Sequence, residues 1–207
     1  RPLTSVQVEL LDGHINSITR FKLFLPKARN GKNEIFVTSL LSELGFLAPR
    51  TFMVSANING VSEEYIFQED LRKELLENSK LVEGPILEGD ERFTIRFKDD
   101  DMMPSLSLSR IINRNYSLRG EANEKIALSA VSNLNLIYLQ HHQSKFPGND
   151  KHLKPLFINT DKFFIDDLNR ERLQTFDSLM YALDALAALS YDDRRFYFDP
   201  IHRHYLP

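Results

Sequence analysis

Residues 20–69 carry the pattern that most constrains how this chain can fold. Residues 20–25 alternate apolar and polar side chains, as expected for a half-buried strand. Residues 33–44 have apolar side chains at helical spacing and predict an amphipathic helix. Residues 51–69 predict two further strands joined by an Asn-Gly hairpin turn. The order strand, helix, strand, strand indicates an α+β unit with an antiparallel sheet.

Two charged side chains occupy distinctive places in this unit. Lys22 lies inside the first strand, and Glu34 lies in the first turn of the helix. Asn33 is the expected N-cap of that helix and Gly45 its expected C-terminal cap. A Lys on the first strand and a Glu on the next helix are typical of the N-terminal lobe of a protein kinase. A Lys on a sheet face and a Glu that stabilises a helix N-terminus fit the same pattern, so both interpretations stay open.

The remaining segments complete the predicted secondary structure. Residues 5–11 and 15–25 predict a hairpin around an Asp-Gly turn. Residues 92–97 predict a strand, and residues 88–90 before it predict an interruption of regular secondary structure. Apolar side chains at helical spacing then predict helices at 121–145 and 171–190, and a short hairpin follows them around an Asp-Pro turn.

The predicted fold class is therefore α+β with a two-lobed, kinase-like arrangement. Its N-terminal half is an antiparallel sheet with one helix, and its C-terminal half is mainly helical. We assign residues 1–98 to the strand-rich lobe, 99–120 to a linker or loop, and 121–207 to the helical lobe. The helical lobe is expected to be incomplete at its C-terminal end.

Composition and charge narrow the possible function classes. The chain has 207 residues, enough for one large domain or two small lobes, and a net charge of −3. Nucleic-acid binding requires a basic face, so no nucleic-acid partner is expected. The absence of Cys excludes thiolate catalysis, disulfides and Cys-bound zinc. No apolar run approaches the roughly 20 residues of a membrane span. The cytoplasm and the cell surface fit equally well, and the oligomeric state stays open.

Acidic side chains in the second half are the candidates for catalysis. Asp177 and Asp184 lie on the polar face of the predicted helix 171–190, and Asp193 follows in a loop that leads into a strand. In phosphoryl transfer, such carboxylates orient the acceptor hydroxyl and bind metal. A solvated helix face followed by a polar turn is the alternative interpretation.

Two other polar features are weaker signals. The acidic run at 99–101 is interpreted as a solvated loop. The six His residues have no spacing typical of a metal site, although His202 and His204 share one face of a predicted strand. The sequence also lacks the glycine-rich phosphate-binding motifs and the Gly-x-Ser-x-Gly motif of hydrolases.

Several short segments together carry a family resemblance. They are Phe-Lys-Leu-Phe-Leu-Pro at 21–26, Asn-Glu-Ile-Phe at 33–36, Leu-Gly-Phe-Leu-Ala-Pro-Arg at 44–50, the Asn-Gly turn at 59–60 with the Tyr-containing strand 65–69, and Asp-Arg-Arg-Phe-Tyr-Phe-Asp-Pro at 193–200. In this order the segments resemble the CotH-type kinases, the atypical spore-coat protein kinase family.

The resemblance implies a function and a set of site residues. The implied activity is an ATP- and Mg²⁺-dependent transfer of phosphate to a hydroxyl group of a protein substrate. Lys22 would contact the phosphates, Glu34 would pair with Lys22, and Glu69 would lie at the hinge between the lobes. The implied site residues are Lys22, Glu34, Gln68 and Glu69 for the nucleotide, Asp184 or Asp177 for catalysis, and Asp193 for the metal.

Two departures from the family pattern support an alternative function. Ala188 stands where the family pattern has an Asp, and the chain ends at Pro207, before the strand expected to carry a further metal-binding Asp. The alternative is a catalytically incomplete, kinase-like scaffold or interaction module of a surface or spore structure.

Overall fold

The computed structural model describes residues 4–29, 31–95, 106–145 and 166–207. The chain divides into two compact units, Arg1–Leu81 and Val82–Pro207, each of which contains a four-stranded sheet. Strand pairing is antiparallel in both sheets, and the described residues contain four α-helices, so the predicted α+β class is confirmed. None of these helices has the length and apolar character needed to cross a membrane.

The first unit is a sheet with two helices. Its elements are β1 Val6–Glu9, β2 Arg20–Phe24, α1 Asn33–Glu43, β3 Thr51–Ile58, β4 Val61–Glu69 and α2 Lys73–Asn78. The strand order in the sheet is β1-β2-β4-β3. A 3-10 turn at Pro26–Arg29 connects β2 to α1.

Alternation along the strands places apolar side chains together on one face of this sheet. Phe21 and Leu23 of β2 pack there with Tyr65 and Phe67 of β4, and all four are buried. The rings of Phe21 and Phe67 stack with their centroids 4.3 Å apart. Because the period of a strand is two, Lys22 is directed to the opposite face of the sheet.

In the first unit one predicted turn and one predicted helix cap are confirmed, and the other predicted cap is wrong. Asn59 and Gly60 both have positive φ angles, 54° and 84°, as the tight β3–β4 hairpin requires. Gly45 has φ 77°, and its N–H donates to Ser42 O at the end of α1. Asn33 is the first helical residue, whereas Lys32 occupies the N-cap position without a side-chain capping bond.

The predicted Asp-Gly hairpin between the first two strands is wrong. Strand β1 ends at Glu9, which lies opposite Arg20 of β2, and residues 10–19 form a longer connection. The chain reverses at Asn16 and Ser17, which have φ angles of 50° and 63°. These two residues lie between Ile15 and Ile18, which form an antiparallel β-bridge. The turn therefore lies further along the chain than the Asp-Gly pair.

The second unit has a sheet and two longer helices. Its elements are β5 Ile86–Ile95, β6 Leu106–Ile111, α3 Glu121–Lys145, α4 Asp167–Ala182, β7 Arg195–Phe198 and β8 Tyr205–Leu206. The strand order is β6-β5-β7-β8. Helix α3 has the predicted bounds, and the predicted hairpin around Asp199 and Pro200 is formed by β7 and β8.

The core of the second unit joins α3 to the sheet. Ala130 and Leu134 of α3 pack with Leu87 of β5 and Phe196 of β7, and all four are buried. The hydroxyl group of Tyr205 donates to Ala130 O at 2.6 Å. This bond attaches β8, the short edge strand, to the helix.

Strand β5 continues through the residues where a break was predicted. A Cβ atom at Gly89 would lie 2.1 Å from Tyr191 O and 2.4 Å from Asp192 Cα, so a side chain has no room. The pairing of β5 with β6 is irregular between Gly89 and Thr94. Gly89 thus marks a close approach of two backbone segments inside a strand.

The chain divides at a different place from the predicted boundary. Along the chain, the first unit ends at Leu81 and the second begins at Val82. Strand β6 occupies part of 99–120, which was assigned to a linker. Strand β5 belongs to the second unit because it pairs with β7. The second unit therefore contains a four-stranded sheet as well as helices, and two of its strands come from residues assigned to the strand-rich lobe and the linker. The acidic run at 99–101 lies outside the described residues.

The predicted helix 171–190 is wrong at both ends. Helix α4 begins at Asp167, where the side chain of Asp166 accepts the N–H of Asn169 as a cap, and it ends at Ala182. A 3-10 turn at Leu186–Leu189 follows. Apolar side chains recur at helical spacing in both segments, so the periodicity alone did not locate the break.

Candidate functional site

Lys22 lies in the middle of the first sheet. It is opposite Gln7 of β1 on one side and Gln68 of β4 on the other. Its side chain is half-buried, and within the described part of the chain it forms no ion pair. Lys22 is therefore a cation on a sheet face that has no anionic partner among these residues.

Glu34 is linked to this face of the sheet through Gln68. Gln68 Nε2 donates a hydrogen bond of 2.7 Å to Glu34 Oε1, which joins β4 to the first turn of α1. Because Gln68 is also the direct neighbour of Lys22, the structure brings three of the predicted site residues together. Lys22 and Glu34 do not form the direct ion pair that the resemblance implies; Glu34 lies 3.9 Å from Arg29 Nη1 instead.

Basic side chains flank the beginning of α1. Lys27 and Arg29 lie in the preceding 3-10 turn, and Lys32 is the N-cap residue. The guanidinium group of Arg29 lies over the ring of Phe24, 4.1 Å from its centroid. These cations and the positive end of the α1 dipole lie around Glu34, the acidic residue in the first turn of the helix.

The carboxylate of Glu69, the residue predicted for the hinge, is buried and is not exposed to a ligand. The residue is 2% exposed, and both carboxylate oxygens accept hydrogen bonds from Arg50. The bonds are 2.8 Å from Nε to Oε2 and 2.7 Å from Nη2 to Oε1, a two-point pairing. Hydrogen bonds to Glu69 raise the pKa of Arg50 above its ordinary value, although burial opposes them.

The reason for the burial of Glu69 is the register of the sheet. Glu69 lies opposite Phe21, so it is directed to the apolar face, whereas Gln68 is directed to the face of Lys22. Sequence analysis placed Gln68 and Glu69 in one nucleotide-binding segment. The alternation of the strand separates their side chains instead.

The predicted acidic residues of the second unit occupy three different environments. Asp177 is on α4 and is paired with Arg194, whose guanidinium group lies 5.2 Å from the ring centroid of Phe196. Asp184 is exposed in the turn after α4, with a φ of 54°, so it does not share a helix with Asp177. Asp193 is exposed in the turn before β7.

Two charged residues that sequence analysis missed organise the second sheet. Glu88 on the central strand β5 lies between Arg110 of β6 and Arg195 of β7. Its carboxylate is 3.3 Å from Arg110 Nη2 and 2.6 Å from Arg195 Nη2. Asp90 is paired with Arg92, and hydrogen bonds from that guanidinium group lower the pKa of Asp90 to about 2.

A cluster of rings between α3 and the segment before β7 was also missed. Tyr138 of α3 packs edge-on against Tyr191, with ring centroids 4.9 Å apart, and Tyr191 Oη lies 2.7 Å from His141 Nδ1. Burial raises the pKa of Tyr138, and its hydroxyl group has no hydrogen-bond partner among the described residues. A pattern of single Tyr and His residues on two separated segments gave no sequence signal for this cluster.

Comparison of the sequence with known protein families finds no matching family, and comparison with curated proteins finds no significant match. The resemblance to CotH-type kinases therefore depends on the short segments of the sequence alone.

Proposed function

We propose that this chain is an ATP- and Mg²⁺-dependent phosphotransferase with a two-lobed, kinase-like fold. The acceptor would be a hydroxyl group of a protein substrate, as in the CotH-type kinases that the sequence resembles. The observation that supports the proposal best is the arrangement of Lys22, Gln68 and Glu34 on one face of the first sheet. Phosphoryl transfer depends mainly on positioning and charge neutralisation, which such a group of residues supplies.

Each residue of the first unit has a defined part in this proposal. Lys22 would bind the phosphates as a point charge, because it has no competing ion pair within the described residues. Gln68, which lies opposite Lys22, holds Glu34 beside the same face of the sheet, and Glu34 would pair with Lys22. Arg29 adds a second cation beside Glu34.

The acidic residues of the second unit have the remaining parts. Asp184 would orient the acceptor hydroxyl, since Asp177 is already paired with Arg194. The exposed carboxylate of Asp193 is a donor that suits Mg²⁺, which takes one or two carboxylates and completes its shell with phosphates and water. When bound, Mg²⁺ neutralises the charge on the phosphates.

A second candidate function is a kinase-like scaffold or interaction module without catalysis. Its support is that Glu34 and Glu69 are engaged by Gln68 and Arg50 rather than by Lys22. Ala188, which stands where the family pattern has an Asp, lies in the 3-10 turn after α4. The missing carboxylate also supports a function without catalysis. Such a module would keep the sheet and helix packing without binding a nucleotide.

A thermal-shift series with ATP, ADP and Mg²⁺ distinguishes the two functions. A ligand at a hundred times its dissociation constant adds about 2.7 kcal/mol to the free energy of unfolding. We expect ATP with Mg²⁺ to raise the melting temperature of the wild type and of Lys125→Met, but not that of Lys22→Met. Lys125 is a matched control because it is an exposed Lys on α3 that pairs with Glu121.

Two results of the thermal-shift series would contradict parts of the proposal. A shift that persists in Lys22→Met would contradict the role of Lys22. The absence of any shift at millimolar nucleotide would contradict the phosphotransferase and favour the scaffold.

A further inference from the structure

Three potential metal ligands come together in the connection between β7 and β8. They are Asp199, His202 and His204, and one ligand atom from each lies within 4.8 Å of the other two. The cluster is the one such group of three among the residues that the structure describes. It contains two imidazoles and one carboxylate, which is a common set of zinc ligands.

The backbone of the turn holds Asp199 in a fixed orientation. Its Oδ1 accepts the N–H groups of Ile201 at 2.7 Å and His202 at 3.1 Å. Its own N–H donates to His204 O at 2.9 Å, and its carbonyl accepts the N–H of Arg203 at 2.8 Å. These bonds use Oδ1 for the turn and leave Oδ2 directed at His202 Nδ1, 2.9 Å away.

His204 is the observation that points to a ligand. The residue is 7% exposed, and its Nδ1 has no hydrogen-bond partner among the described residues. A buried polar atom without a partner is destabilising, so a ligand that pairs with it would stabilise the fold. The ring centroid of His204 lies 5.9 Å from that of His202, and a ligand atom of each ring lies within 4.8 Å of the other and of the Asp199 carboxylate.

We propose that Asp199, His202 and His204 bind a divalent cation of the zinc type. Tetrahedral zinc with ligands at about 2.0–2.1 Å requires ligand atoms about 3.3 Å apart. The separations in the cluster are at most 4.8 Å, and His202 Nδ1 is 2.9 Å from Asp199 Oδ2, so modest side-chain adjustments, for which the exposed His202 has room, would bring the ligand atoms to this spacing. The fourth coordination position is available to water or to an external ligand.

The ligand types in the cluster favour transition metals over Mg²⁺. Imidazole nitrogens favour zinc, copper and nickel, whereas Mg²⁺ requires a shell of oxygen ligands. The site is thus separate from any Mg²⁺ that accompanies a nucleotide, and it does not depend on the proposed phosphotransferase. Its effect would be to fasten the loop between β7 and β8 and to satisfy the buried nitrogen of His204.

Zinc titration of the whole chain by calorimetry, together with the visible absorption of bound Co²⁺, tests the proposal. We expect one saturable site in the wild type, with tetrahedral Co²⁺ absorption and no competition from millimolar Mg²⁺. His202→Ala is the main variant, since its exposed ring can be removed without opening the core. Loss of a ligand is expected to weaken zinc binding by at least about tenfold.

Two further variants separate binding from folding. Asp199→Asn keeps an oxygen for the turn but removes the carboxylate charge, so it should weaken zinc while the hairpin stays folded. His14→Ala is the control, because His14 is an exposed His in the first unit, outside the cluster. Urea unfolding of each apo variant shows whether it is folded before the titration.

The proposal is contradicted by either of two results. One is the absence of saturable binding by the wild type at zinc concentrations up to about 100 µM. The other is equal zinc affinity in His202→Ala and the wild type, which would mean that the cluster is only an ion pair between His202 and Asp199. Neither result bears on the ATP-dependent thermal shift, so the two proposals fail separately.

Discussion

Replacing Arg50 with Met is expected to lower the free energy of unfolding by about 3 kcal/mol. The substitution removes both guanidinium hydrogen bonds to Glu69 and the bond of 2.6 Å from Arg50 Nη1 to Asn16 O. It leaves the carboxylate of Glu69 inside the apolar face of the first sheet, with the Arg50 N–H as its remaining donor. Met keeps the unbranched stem, so packing changes little.

The magnitude follows from the burial of the two partners. Hydrogen bonds to charged groups contribute about 1.5–3 kcal/mol each, and breaking a buried ion pair costs about 3–5 kcal/mol. The Glu69 side chain is 1% exposed but the Arg50 side chain is 26% exposed. Water can therefore reach the vacated space and partly solvate the carboxylate, so we expect the lower end of the range.

Urea unfolding of four proteins tests this reasoning. The double variant Arg50→Met/Glu69→Leu should recover most of the loss, because an apolar pair can replace a buried ion pair at little cost. Lys125→Met is the control, since the exposed pair of Lys125 with Glu121 should contribute under about 0.5 kcal/mol. A loss below about 1 kcal/mol in Arg50→Met, or no recovery in the double variant, would refute the argument.

Two further predictions concern the second unit. Gly89→Ala should destabilise it by about 1–3 kcal/mol, because the new Cβ would lie 2.4 Å from Asp192 Cα; Gly120→Ala, with no atom within 4 Å, is the control in the same urea assay. The guanidinium group of Arg92 holds the pKa of Asp90 at about 2, below its unfolded value, so this pair stabilises the fold above about pH 4 and the effect is lost as the pH falls through about 2. Urea midpoints measured from pH 5 to pH 2 should therefore fall more steeply in the wild type than in Arg92→Met, and equal slopes would contradict the pairing.

Local sequence signals located the elements whose structure depends on neighbouring residues. The Asn59-Gly60 turn needs two positive φ angles, which these residues tolerate, and helix α3 has a long apolar periodicity. Gly45 ends α1 for the same local reason. These features can be found without knowing what the rest of the chain contacts.

Features that depend on distant residues were missed. From the sequence alone Gly89 predicts a break in the strand, but in the folded unit it leaves room inside strand β5 for the backbone of Asp192. Glu69 reads as a hinge residue until its register opposite Phe21 and its partner Arg50 are known. Spacing alone could not separate such positions from solvent-exposed ones.

The candidate sites also combine features that the sequence could predict with features that depend on distant residues. Lys22 and Glu34 could be placed on neighbouring elements from the order of strand and helix, but the bridging bond from Gln68 could not be predicted. The grouping of Asp199 with two His residues requires the turn to close on itself through backbone hydrogen bonds. Its sequence signal was limited to the two His residues on one strand face.

The strand order of the second sheet has a consequence for the order of folding during synthesis. The central strand β5 pairs with β7, and Arg195 bonds to Glu88 across 107 positions of the chain. At a synthesis rate of about 5–20 residues per second, this interval corresponds to about 5–20 s. For that time one edge of the hairpin of β5 and β6 has no partner strand from its own chain. Completion of this sheet is therefore a late, high-contact-order step, and until then the unpaired edge of β5 is open to pairing with another molecule.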